Sequence, residues 1–91
     1  MTRYRVSPNA LAASLSDGVV LLNLQTNRYF SLNETGTRVW NLLSCATPRS
    51  EIVATLAREY AVSEEEAGRT VLALLDELAG EQLIEAIEAR S

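Results

Sequence analysis

Histidine and lysine are absent from the 91 residues, and all eight basic side chains are arginine. Without them, acid–base catalysis would fall to exposed carboxylates that show no recognisable pairing. The one cysteine, Cys45, cannot form an internal disulfide. With no histidine to activate it or share a metal, it is neither a nucleophile nor a ligand. No enzyme, cofactor or metal site is therefore expected, and a single cysteine makes a reducing, cytoplasmic setting the default. The opening MTRYRVSPNA has no continuous apolar stretch of the kind a signal peptide carries. No apolar run approaches the ~18 residues of a membrane span. Aromatics are few and scattered and the net charge is −4, so neither a base-stacking platform nor a basic phosphate-binding face is present. The expectation is of no membrane and no nucleic-acid partner.

What the chain does have is 47% apolar residues, enough to bury a core in one small domain, residues 1–91. The segment ALAASLSDGVVLLNLQTNRYFSL reads as three antiparallel strands. Asp17-Gly18 suits a two-residue type I′ turn, where both positions need positive φ. That turn sets Ser16 opposite Val19, Leu15 opposite Val20, Ala13 opposite Leu22 and Leu11 opposite Leu24. A second turn over LQTNR, with Asn27 left-handed, pairs Leu24 with Arg28, Leu22 with Phe30 and Val20 with Leu32. On this register Leu11, Ala13, Leu15, Val20, Leu22, Leu24, Phe30 and Leu32 share one buried face. Ser14, Val19, Leu21, Asn23, Tyr29 and Ser31 form a mixed, partly exposed one. The third strand, Arg28–Leu32, is an edge of the meander. The first strand is the other edge, where the N-terminal RYRVSP can add or cover, within the limit Pro8 sets.

Three helices follow. Asn33 caps the first, with Glu34 in its first turn and a stripe of Gly36, Val39, Trp40 and Leu43. Gly36 would let this helix sit close to the sheet. A second begins at Thr47-Pro48 or Ser50, with a stripe of Ile52, Val53, Leu56, Ala57 and Tyr60. Ser63 and Glu66 form a capping box for the third, which runs to about Ala79 with Gly80 as its stop. Its core stripe is Ala67, Val71, Leu74 and Leu78. Leu72, Leu75 and Ala79 form a second apolar line that must face EQLIEAI, another helix or a partner. Strands followed by helices in so short a chain define a winged-helix-like α+β domain.

DGVVLLNLQTNRYFSLNETGTRVWNLL and EIVATLAREYAVSEEEAGRTVLALLDELAGEQLI together resemble the PqqD-like domains, the RiPP recognition elements of ribosomal peptide pathways. The resemblance covers about residues 9–84. Its most specific part is YFSLNETGTRVW: an aromatic strand, Leu-Asn, a glycine three on, then a hydrophobe and Trp. Asn27 departs from the Gly expected in the hairpin, a change the turn tolerates. At this size the chain is similar to the stand-alone recognition proteins of lasso-peptide and pyrroloquinoline-quinone pathways. The resemblance implies a non-catalytic binder of a precursor's leader peptide. The leader would add as a strand beside Arg28, Tyr29, Phe30, Ser31 and Leu32. It would lie against the third helix around Arg69, Leu72, Leu75, Asp76 and Ala79. It further implies a separate partner enzyme, in a lasso-peptide pathway a leader peptidase. On this reading Leu75→Arg keeps the fold and abolishes leader binding. The alternative is a winged-helix DNA-binding regulator, whose reading helix would open on Glu64-Glu65-Glu66 and repel phosphate, with Arg69 alone to offset them.

Overall fold

The computed structural model describes residues 2–16 and 18–88. The elements run β1 (Thr2–Val6), β2 (Ala10–Leu15), β3 (Gly18–Asn23), β4 (Arg28–Leu32), α1 (Glu34–Ser44), α2 (Arg49–Glu59), α3 (Glu64–Gly80) and β5 (Ile84–Glu88). The expected three-stranded antiparallel sheet is present in the order β2-β3-β4, and three helices follow it. The N-terminal segment does not cover β2. It pairs as β1 with β5 in a separate two-stranded ribbon, Thr2 opposite Glu88 through Val6 opposite Ile84. EQLIEAI is thus largely a strand, and Leu83 and Ile84 enter the core from it.

The face assignment of the sheet is overturned for β3. Phe30 lies opposite Leu21 and Leu32 opposite Val19, one residue from the expected register. The buried face therefore carries Val19, Leu21 and Asn23, with Leu32 buried and Phe30 half-buried beside them. Leu11, Leu15 and Leu24 are exposed, and Val20 and Leu22 only half-buried.

The cause is Asn23. Its Oδ1 accepts from the Gln25 N–H at 2.9 Å and the Thr26 N–H at 3.2 Å. These bonds hold Leu24–Asn27 as a four-residue loop closed by Asn23 and Arg28. Asn27 takes the expected left-handed φ of 60°. From the opposite side of the side chain, Nδ2 donates to the Glu81 carbonyl at 2.9 Å. A residue read as outward-facing polar is thus the buried pin between the hairpin and the end of α3.

At the other hairpin Leu15 pairs with Gly18 and Ala13 with Val20, two residues from the expected register. An even shift keeps the faces. The turn residue Asp17 lies outside the described residues. Gly18 opens β3 at φ 144°, where a Cβ would lie 2.5 Å from the Leu32 carbonyl oxygen, so only glycine fits there.

The N-caps of α1 and α3 are the expected ones. Asn33 Oδ1 accepts from the Gly36 N–H at 2.8 Å, and Ser63 Oγ from the Glu66 N–H at 3.1 Å. Helix α2 starts after Pro48, with neither Thr47 nor Ser50 capping it through a side chain. At the end of α3 the left-handed residue is Gln82, φ 59°, two beyond the Gly80 expected as the stop. A Cβ on Gly36 would meet Leu32 Cδ2 at 3.2 Å, so the glycine does let α1 sit close against β4. Val39, Trp40, Leu43, Ile52, Leu56, Val71, Leu75 and Leu78 join the inner sheet face in one core.

Candidate functional site

Strand β4 pairs only with β3, so its other side is a free edge among the described residues. Which backbone groups it offers follows from the ladder. The Leu24 N–H donates to the Asn9 carbonyl at 2.8 Å, just beyond the Ala10–Asn23 pair. Hydrogen-bonded pairs alternate along an antiparallel ladder, so Leu22 and Val20 point their N–H and C=O groups at β2, and Val19, Leu21 and Asn23 point theirs at β4. Leu32, Phe30 and Arg28 therefore turn inward to β3. Tyr29 and Ser31 present theirs to the open side. Tyr29 is 75% exposed and its ring stands on the outer face of the sheet, as expected.

Beside this edge runs a groove of about 450 Å³ lined by Phe30, Ser31 and Leu32 of β4, Asn33, Thr35 and Gly36 at the start of α1, and Thr70, Ala73, Leu74 and Glu77 of α3. The close seat of α1, which Gly36 permits, forms one end. The other end is tied by the ion pair between Arg28 Nε and Glu81 Oε1, 3.3 Å. β2 is also a free edge among the described residues, but its residues are almost all exposed. The groove at its end, about 550 Å³ between Ser14–Ser16 and Glu34, Thr37 and Asn41 of α1, runs beside the β2–β3 turn and not along the β4 edge.

The strand half of the expected site thus borders a real groove, and the helix half is rotated from the expected line. Leu75 is 1% exposed, part of the core with Val71 and Leu78. Leu72 and Ala79 are exposed on a side roughly 140–160° around the helix from Leu74. Arg69 pairs with Glu65 one turn back at 3.1 Å, and Asp76 is exposed away from the groove lining. Thr70, Ala73, Leu74 and Glu77 take their place. Five consecutive apolar residues, Val71 to Leu75, left the phase of the helix open by one position. Leu74, expected in the core stripe, is the half-buried residue that reaches both core and groove.

Two groups outside the groove have shifted titration. The Arg38 guanidinium, bonded to the Glu59 carboxylate at 2.7 and 2.9 Å, holds that carboxyl below the ordinary range and is itself raised. This pair ties α1 to the end of α2. No cluster of metal-binding side chains occurs among the described residues, and none of their helices is long and apolar enough to cross a membrane. Cys45 is exposed and free.

A winged-helix-like domain with an open strand edge beside a helix-walled groove has the form of a module that takes in an extended peptide. The chain belongs to the PqqD family: the family of coenzyme PQQ synthesis protein D matches residues 18–84. Two solved structures are similar over nearly their whole length. TbiB1 in complex with the TbiA(beta) leader peptide is 36% identical, with 94% of this chain and 99% of that one covered and a TM-score of 0.85. Lasso peptide synthetase B1 complexed with the leader peptide is 25% identical, with 91% and 98% covered, also at a TM-score of 0.85. No curated protein sequence matches the chain. The DNA-binding alternative gains no support. The first turn of α3 carries Glu64, Glu65 and Glu66, and Arg69 is engaged by Glu65.

Proposed function

We propose that this protein captures the leader segment of a ribosomally made precursor peptide as an added strand on β4 and presents the precursor to a separate processing enzyme. In a lasso-peptide pathway that enzyme is a leader peptidase. The observation that carries the reading is the open edge at Tyr29 and Ser31 facing the α3 groove, in a chain that shares its fold with two leader-peptide complexes. The protein itself contributes binding and no chemistry.

The energetics say what the groove must supply. Tyr29 and Ser31 offer four main-chain hydrogen bonds, a net gain of about 2–6 kcal/mol at roughly 0.5–1.5 each. Ordering five residues of a flexible leader costs about 5–10 kcal/mol. The bonds alone do not hold the peptide. Apolar leader side chains buried against Phe30, Ala73 and Leu74, at about 1.5–3 kcal/mol each, provide the surplus.

Ser31→Pro tests this directly. The substitution removes an N–H that faces the open side and leaves the β3 ladder whole, a position where edge strands accept proline. The expected result is a folded protein, by circular dichroism and melting, that no longer binds a labelled leader peptide that the wild type binds. Ser31→Ala should bind as wild type. Undiminished binding by folded Ser31→Pro would refute strand addition at β4. Binding to DNA that weakens steeply with salt would favour the regulator instead.

A further inference from the structure

The groove is nearly neutral, and its one charge sits at a defined height. Among the described residues Glu77 is the only charged side chain lining it, and no ion pair to Glu77 is seen among them. Its helix is strongly acidic: Glu64, Glu65, Glu66, Asp76 and Glu77 stand against Arg69 alone. The contact between Arg28 and Glu81 brings the start of β4 to the end of α3. Onward from there the groove is lined by Phe30 to Leu32 on one side and by Glu77 back to Thr70 on the other, so the two elements run antiparallel along it. Phe30 lies two strand residues beyond Arg28, about 6.6 Å. Glu77 lies four helical residues before Glu81, about 6 Å. Phe30 and Glu77 are therefore at the same level on opposite walls. Leu32, two residues further along, is level with Ala73 and Leu74.

A strand added to β4 turns the side chains opposite Arg28, Phe30 and Leu32 toward α3, because directly opposed residues share a face. We infer that Glu77 selects an arginine or lysine in the bound peptide, opposite Phe30 and two residues from an apolar side chain opposite Leu32. This inference rests on the strand-addition reading and deepens it. The basic side chain would lay its aliphatic stem on the half-buried Phe30 ring and bring its charge to the Glu77 carboxylate. A neutral or acidic residue at that position would leave the carboxylate beside an apolar wall without a partner. The acidic surface of α3 adds a longer-range attraction of the same sign.

The probe is a displayed library of random 12-residue peptides sorted on the immobilised protein. Wild type should enrich peptides with an apolar residue and an Arg or Lys two positions apart. Glu77→Gln should keep the apolar preference, lose the basic one, and weaken binding of an enriched basic peptide by about three- to tenfold at low salt. Glu77→Arg should switch the preference to Asp or Glu. Enrichment without a basic preference, or a basic preference unchanged in Glu77→Gln, would overturn the role of Glu77 while leaving strand addition standing. No enriched peptide at all, or equal enrichment by folded Ser31→Pro, would overturn strand addition and the selectivity with it.

Discussion

Asn23 makes the sharpest test of how the sheet is held. The side chain is 1% exposed and makes three hydrogen bonds of 2.9–3.2 Å, two to the hairpin loop and one to the last turn of α3. At roughly 0.5–1.5 kcal/mol net per bond, Asn23→Ala should cost about 3 kcal/mol. A domain of this length is stable by about 5–14 kcal/mol, so the loss is a large fraction, equivalent to a fall in Tm of roughly 12–24 °C. Urea unfolding followed by the fluorescence of the single, buried Trp40 would measure it. Asn23→Asp separates the two halves of the pin. An aspartate still accepts from Gln25 and Thr26, but it turns a carboxylate on the Glu81 carbonyl. Near-complete burial and that carbonyl, set against the two N–H bonds that favour the charged form, would raise its folded pKa above the unfolded value of about 3.9. Its deficit against wild type is then small below the unfolded pKa and grows as pH rises through the folded one. Asn23→Ala within about 1 kcal/mol of wild type, or an Asn23→Asp deficit flat between pH 4 and 7, would refute the account.

Other consequences are as direct. Leu75→Ala should cost about 2–5 kcal/mol by urea unfolding because Leu75 is a closed core position, and Leu75→Arg should abolish folding rather than binding alone. Leu72→Ala, on the exposed side of the same helix, should stay under about 1 kcal/mol. Ser63→Ala removes the bond to the Glu66 N–H and should cost about 1 kcal/mol in the same assay. Glu59 is held below its ordinary pKa by Arg38, so its contribution is present above the unfolded pKa and lost as pH falls through the folded one. The Tm of Glu59→Gln should therefore lie below wild type at neutral pH and converge with it in acid.

The parts of the fold that could be read locally are those with a local cause. Asn33 and Ser63 announce their helices because a side-chain oxygen and a helix N–H three residues on are all the motif needs. Arg28–Leu32 was legible as a strand and as an edge for a similar reason. The register of β3 was not, because Val19, Val20, Leu21 and Leu22 are all apolar and carry no parity. What decides it is a hydrogen bond from Asn23 to a carbonyl 58 residues away. The pairing of β1 with β5 joins residues 2–6 to residues 84–88, and nothing local in LIEAI marks it as a strand. The site shows the same division. The bounds of the strand beside the groove, Arg28–Leu32, were legible, while the α3 residues that line it are Thr70, Ala73, Leu74 and Glu77 and not the Leu72–Leu75–Ala79 line.

The β1–β5 ribbon carries a practical consequence. Thr2 and Glu88 are strand partners, and no residue of either strand lines the groove. The ribbon is therefore a place where a dye attached to an exposed position, such as Glu85, would keep the β4 edge clear. It also ties residues 2–6 to residues 84–88, so the strand that follows α3 is held by a segment that precedes the whole three-stranded sheet, and loosening either strand would free the other without touching the groove beside β4.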